Sequence, residues 1–415
     1  MNKKLSPEEL SEHFFRHTYA KMLAILSSYF GLEQLEIAED IVQDCLVEAL
    51  QKWSITKIPD NPEAWLMDVA KKKTINFLKR KSLFDQKIAQ ELSLQIQAAS
   101  FKEVEQQDSD LKMIFACCHP ALAVESQIAL ALKTLCGLSV QEIADSLLTT
   151  KANINKRLYR AKEKFRSGEI KLENPAADEP ERLDSVLQVL YLLFNEGYFS
   201  LHHEEKIRID LCYEGIRLLN RLEETAYTRS PKLQGLLALM YFSIARFQSR
   251  IDPFGGLIAF EKQDRSQWDQ EMIAVGMKHL SQSMKAISPN IYQLQAGIMA
   301  EHCLAPDFDS TNWESILKQY ELLFHLNPQA LIALNREIAR FFSGDRINAL
   351  KALEELEQDA HFHSHAPFML SKAILLAKNL QLEAADLAFE KATKFATSEA
   401  ERKLILARRN QFFST

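Results

Sequence analysis

Glycine and proline are scarce in this chain, 11 and 12 residues in 415, and that scarcity restricts its fold more than any other feature. A turn-dense β fold needs both residues at its corners. Leu, Ala, Glu, Lys and Gln, which are plentiful here, lose little on entering a helix. Apolar residues recur at three- and four-residue intervals through most of the chain, so the expected fold class is all-α. Hydrophobic residues make up 47% of the sequence, enough for real cores, and the length suits roughly two to four units.

Several classes of protein are disfavoured at once. The six cysteines form no C-x-x-C pair, and a disulfide framework does not suit so few in a chain this large. The start, Met1 to Glu9, lacks the apolar stretch of a signal peptide. The longest apolar runs, Val189–Phe194 and Leu236–Phe242, are too short to span a membrane. A reducing cytoplasm is the expected location, with no membrane partner. Residues 1–170 carry 23 Lys+Arg and 23 Asp+Glu, so the net charge of −6 falls on the remainder. An acidic chain with a balanced N-terminal part still admits nucleic acid, provided its cations are clustered.

They are clustered in two places. Within residues 1–82, the first expected domain, Ile37, Ala38, Ile41, Val42, Cys45, Leu46, Ala49, Leu50 and Trp53 form an apolar helical stripe. Glu36, Glu39, Asp40, Gln43, Asp44 and Glu48 occupy the other face, which is either a solvated surface or a docking surface for a basic partner. A second helix follows the Pro59-Asp60-Asn61-Pro62 break and ends in Lys71–Lys81, with six basic residues in eleven and no acid. With Trp65 and Phe77 nearby, this run suits single-stranded nucleic acid, through phosphate neutralisation and base stacking.

Residues 83–109 read as a linker and 110–170 as a second domain. There Ser139-Val140-Gln141-Glu142 has the form of a capping box. A short helix, a turn at Leu148-Thr149-Thr150 and a long helix over Lys151–Arg166 follow. Ile154, Leu158, Ala161 and Phe165 mark the buried face of the long helix, and Asn153, Lys156, Arg157, Arg160 and Lys164 lie on exposed stripes. Seven basic residues against one acid complete a helix-turn-helix pattern suited to the major groove of DNA. Leu148 stands where many such turns place glycine, so this turn must be built differently.

After the Asn174–Pro180 break the chain reads as a helical extension over 181–285 and a further helical domain over 286–415. In the latter, Ala373, Ala385, Phe389 and Ala392 have the small/small/aromatic/small spacing of a tetratricopeptide-like repeat. Cys117-Cys118-His119 with Cys136, and the alternating His361, His363 and His365, fit no structural zinc pattern. The expectation is therefore no metal and no cofactor. Without a phosphate loop, G-x-S-x-G or H-E-x-x-H, no catalytic residue is assigned and an enzyme is not expected. Asn195-Glu196-Gly197-Tyr198 and Gln263-Asp264-Arg265 read as buried polar networks, or as the lining of a ligand groove.

Ala38–Asp44, Pro62–Leu66 with the basic run to Arg80, and Leu138–Arg166 resemble regions 2 and 4 of the extracytoplasmic-function group of bacterial sigma factors. Cys117–Leu122, Tyr191–Tyr198, Gln263–Asp269 and Leu334-Asn335-Arg336 are similar to marks of the subgroup with a long tetratricopeptide-like C-terminal extension. The resemblance implies that Asp40, Gln43 and Asp44 contact core RNA polymerase, at the clamp helices of its largest subunit, with the flap as a second contact. It implies that Trp65, Lys72, Lys73, Asn76, Lys79 and Arg80 hold the −10 element as single strand, with Asn76 standing where the group usually has Asp. Asn153, Lys156, Arg157, Arg160 and Lys164 would read the −35 element as duplex. The extension would regulate these regions, through contact with them or with another partner. The competing readings are a helix-turn-helix regulator with a helical sensor and no polymerase docking, and a helical metal enzyme.

Overall fold

The computed structural model describes residues 7–53, 58–80, 103–147, 149–173, 180–199, 207–224, 230–250 and 258–413. Among them every regular element is a helix, as the composition requires. The chain forms two compact units, Met1–Thr228 and Arg229–Thr415.

In the first unit, α1 (Pro7–Phe30), α2 (Leu35–Trp53) and α3 (Pro62–Arg80) pack together, and α1 also packs on α4 (Glu103–Cys117). Gly31, at φ 80°, takes the left-handed turn between α1 and α2. Ala38, Val42, Cys45 and Ala49 of α2 are fully buried, whereas Leu50, expected on the same stripe, is 55% exposed. Next come α5 (Val124–Thr134), α6 (Val140–Ser146) and α7 (Lys151–Arg166), then α8 (Pro180–Phe199) and α9 (Ile207–Glu223). The sequence reading separates 181–285 from what precedes it. In the structure α8 and α9 pack on each other and on α4, and α8 also on α5, so the first compact unit runs on to Thr228.

Cys117 and Cys118 belong to this core. The Cys117 Sγ lies 2.9 Å from Thr134 Oγ1, and burial pushes the Cys117 thiol up to about 12. That places it far from reactivity at neutral pH. Among the described residues, no group of three or more His, Cys, Asp or Glu is disposed to hold a metal ion. No helix of the described residues is long and apolar enough to cross a membrane.

The second unit is built around α10 (Pro231–Ile244), which is buried along almost its whole length. After the single turn of α11 (Phe247–Arg250), α12 (Gln270–Ser283) and α13 (Ile291–Leu304) both pack on α10. Gly276 permits the close approach of α12, since a Cβ there would fall 2.7 Å from the Phe242 ring. Each later helix packs on its predecessor: α14 (Trp313–Leu326), α15 (Ala330–Phe342), α16 (Arg346–Leu356), α17 (Ala366–Lys378), α18 (Leu382–Phe395) and α19 (Glu399–Phe413). Ala373, Ala385, Phe389 and Ala392 are all fully buried in one core with Phe341, Leu353 and Phe368.

The motif Gln263–Trp268 is a clasp. Arg265 donates to the His302 and Ala305 carbonyls at 2.7 and 3.0 Å, satisfying acceptors at the α13 C-terminus that the helix leaves unpaired. Its other nitrogen reaches Thr311 Oγ1 at 3.1 Å. Gln263 Oε1 accepts two bonds from Arg246, and Trp268 Nε1 donates to Ser249 Oγ at 2.7 Å. The His-rich stretch is local chain geometry: His365 Nδ1 accepts the Phe368 N–H at 3.1 Å as the α17 N-cap, and His361 Nδ1 lies 2.7 Å from Asp359 Oδ1.

Candidate nucleic-acid and partner interface

The polar face of α2 divides into paired and unpaired carboxylates. Glu36 meets Arg166 at 2.6 Å, Glu39 meets Lys162 at 2.6 Å, and Glu48 meets Lys52 and Lys73 at 2.7 and 3.1 Å. Those two lysines hold the Glu48 carboxyl below the usual carboxylate range. Asp40, Gln43 and Asp44 remain exposed, with no ion pair among the described residues. At positions i, i+3 and i+4 they share one helical face. Val47 and Leu50, 52% and 55% exposed, continue that face toward the α2 C-terminus. The free surface of α2 is therefore an acidic row ending in an apolar patch. The sequence reading missed Val47 and misplaced Leu50; their helical angle relative to Asp40 was the available signal.

On α3, Asn61 caps the first turn, its Oδ1 accepting the Ala64 N–H at 3.0 Å. Trp65, Lys72 and Asn76, spaced seven and four apart, fall on one stripe; Lys72 and Asn76 are exposed and Trp65 is half-buried. The Trp65 ring lies 5.5 Å from Trp53, and Lys52 Nζ stands 5.6 Å over it. Lys73 is half-buried beside Glu48 rather than on the open stripe. Lys79 and Arg80 close the helix, and their side chains lie outside the described residues.

The helix-turn-helix forms from α6 and α7. The capping box is reciprocal: the Ser139 N–H donates to Glu142 Oε2 at 2.7 Å, and the Glu142 N–H donates to Ser139 Oγ at 3.2 Å. Leu148, in the turn, lies outside the described residues. Thr150 caps α7 by accepting the Asn153 N–H at 3.3 Å. Ile154, Leu158, Ala161 and Phe165 are buried, as their spacing predicts. Asn153, Lys156 and Arg160 are exposed, and Arg157 and Lys164 are half-buried. The side chain of Asn153 is engaged with Thr149 Oγ1 at 3.1 Å, and Lys164 with Glu169 at 2.6 Å. At about 100° per residue, these five residues form one flank of α7, and Lys162 and Arg166 lie on the opposite flank, toward α2.

That opposite flank builds a joint between helices distant in sequence. Around the nearly buried Glu39 stand Lys162, Lys133 of α5 and Tyr19 of α1. Lys133 Nζ is 5.7 Å over the Tyr19 ring, and burial holds the Lys133 ammonium below its ordinary range, against the pull of Glu39. Burial, then Glu39, pushes the Tyr19 phenol up.

Comparison with known proteins divides the chain into three matched stretches, the last of which crosses the boundary between the two compact units. Residues 14–84 match sigma-70 region 2, residues 112–165 match sigma-70 region 4, and residues 182–284 match a family of unknown function, DUF6596. An uncharacterized protein of Rhizobium meliloti (strain 1021) is 33% identical over 392 residues, covering 92% of this chain and 91% of that protein. No solved structure matches the chain. Region 2 and region 4 occur in order, on the helices that carry the acidic face, the basic-aromatic stripe and the helix-turn-helix. The chain belongs to the sigma-70 family, as an extracytoplasmic-function-like sigma factor of promoter-specific transcription with a helical C-terminal extension.

Proposed function

We propose that the first unit docks on core RNA polymerase through Asp40, Gln43, Asp44, Val47 and Leu50, at the clamp helices of the largest subunit, with a second contact of region 4 on the flap. The observation that carries this reading is the division of the α2 face. Three glutamates are paired with cations of the same unit and the Asp40–Asp44 row is left to solvent. Trp65, Lys72, Lys73, Asn76, Lys79 and Arg80 then hold the −10 strand, and Asn153, Lys156, Arg157, Arg160 and Lys164 read the −35 duplex. Promoter opening is driven by binding free energy, so no catalytic residue takes part. The working compartment is the cytoplasm. The second unit, read as tetratricopeptide-like from the Ala373, Ala385, Phe389 and Ala392 spacing, regulates the first.

Promoter binding on this reading requires the first unit to open. Elements about 25 base pairs apart are separated by roughly 85 Å at ~3.4 Å per pair. A compact unit of 228 residues has a radius of gyration of only ~17 Å. The Glu39–Lys162 and Glu36–Arg166 pairs therefore break when both elements are engaged. Run-off transcription with purified core polymerase tests the reading. The full chain should direct initiation at a promoter of its own genome that core polymerase alone ignores, and initiation unchanged by the chain at every such promoter would refute it.

A further inference from the structure

The second unit holds a cavity of about 440 Å³, within the range of small-molecule sites. Its walls are the facing stripes of neighbouring helices. Trp313, Ile316 and Tyr320 of α14 line it, as do Asn335, Ile338 and Phe342 of α15. Steps of three and four put each set on one side of its helix. Phe308, Trp313 and Phe342 form an aromatic band with centroids 4.7–5.0 Å apart, and His302 of α13 stands edge-on to Trp313 at 5.3 Å. The arginines and the glutamate of the lining are already engaged. Arg408 pairs with Glu261 at 2.7 Å, and Arg246 lies 4.1 Å over the Phe260 ring with two nitrogens on Gln263. Ser371 donates to the Pro367 carbonyl at 2.9 Å. The carboxamide of the half-buried Asn335, by contrast, has no hydrogen-bond partner among the described residues.

A carboxamide offers an N–H donor and a carbonyl acceptor side by side in one plane. The ligand that uses both has an acceptor next to a donor on one edge, as adenine has at N7 and N6, which asparagine engages with two bonds. A flat ring also gains offset or edge contacts with the aromatic band. Asn335 and Phe342 stand two turns apart on one stripe, ~10 Å along α15, so a fused two-ring heterocycle can touch both. A peptide bond carries a similar donor–acceptor pair but brings no ring to the band. An aromatic hydrocarbon would cover the carboxamide and leave it unpaired, which is costly. We propose that this cavity binds an adenine-type purine, its ring against Trp313 and Phe342 and its donor–acceptor edge on Asn335. The clasp motif then has a second role, since Arg265 fixes the end of the helix that carries His302. The site lies within the second unit, so its failure would leave the polymerase reading untouched.

Isothermal titration calorimetry of the full chain with 9-methyladenine tests it. The controls are 9-methylpurine, which lacks the amino group, and 1-methylindole, which lacks the donor–acceptor edge. The expected result is saturable one-site binding of 9-methyladenine with a dissociation constant below about 1 mM. Each control should bind at least ~10-fold more weakly. Asn335→Leu, which keeps the size and removes the carboxamide, should weaken 9-methyladenine by ~10-fold and erase its advantage over 9-methylpurine. A merely structural role for Asn335 would weaken both purines alike. Ser371→Trp, which fills the cavity from α17, should abolish binding with an unchanged circular dichroism spectrum, and it carries the test if Asn335→Leu does not fold. No saturable binding of 9-methyladenine, equal binding of the controls, or undiminished binding by both variants would overturn the proposal.

Discussion

Lys162 Nζ of the recognition helix lies 2.6 Å from Glu39 Oε2 of the region 2 helix, across 123 residues of sequence, with side chains 19% and 9% exposed. Sequence inspection places Glu39 on the polar face of α2 and gives Lys162 no role. The fold instead turns them toward each other and holds the two DNA-binding regions in one unit.

Reversing one partner of this pair should release α7 from α2. Breaking a largely buried ion pair costs on the order of 3 kcal/mol, so Lys162→Glu should speed amide hydrogen exchange across Lys151–Arg166 by roughly 100-fold. The double reversal with Glu39→Lys should restore slow exchange. Equal exchange in the wild type and the single variant would show that the joint contributes nothing.

Leu50 should matter to polymerase and not to stability. At 55% exposure its removal creates no cavity, so Leu50→Ser should shift the melting temperature by no more than ~2 °C. The affinity for core polymerase should fall about 10-fold. A large loss of stability with unchanged affinity would return Leu50 to the core stripe.

Arg157→Ala and Arg160→Ala should weaken promoter binding and leave polymerase binding intact. If each loses a phosphate contact, the slope of log affinity against log salt should drop by roughly 0.9 per residue. If either reads a base, discrimination against a changed −35 base should fall by about 1–3 kcal/mol. Filter binding of the holoenzyme over a salt series separates these outcomes, and no change in either quantity would remove the −35 assignment.

Asp110 offers a pH test of the α4 packing. Burial pushes its carboxyl up to about 6, against the opposing pull of Arg217, Arg221 and Lys21. A folded value above the ordinary carboxylate value means the folded state binds the proton more tightly. Asp110's contribution to stability is therefore complete below pH ~4 and lost as the pH rises through about 6. Asp110→Asn should stabilise the chain by about 2 kcal/mol at pH 7.5 relative to the wild type and be neutral near pH 4. Urea unfolding at both values checks this, and destabilisation by Asn at pH 7.5 would mean that the charged Asp110 pairs productively with Arg217.

What could be read from the sequence was what depends on neighbours along the chain. The capping box at Ser139 and Glu142, and the buried step Ile154, Leu158, Ala161 and Phe165, are set by helical geometry over a few residues, and both stand in the structure. Leu50 failed because one helix stripe can look continuous while its partner helix covers only part of it. The fates of Glu36, Glu39 and Glu48 depend on cations from α3 and α7, which no local spacing encodes. The Gln263–Arg265 cluster was legible as a polar network, but its target, the end of α13, was not.

The most direct test of the central claim is gel filtration of the full chain with bacterial core RNA polymerase, beside the Asp40→Lys, Asp44→Lys double variant. Both aspartates are exposed, so the variant should keep the circular dichroism spectrum and melting temperature of the wild type. The wild type should co-elute with core polymerase and the variant should not. Co-elution of both would contradict the assignment of the α2 face. Failure of the wild type to co-elute, even with Lys162→Glu to open the first unit, would contradict polymerase docking itself.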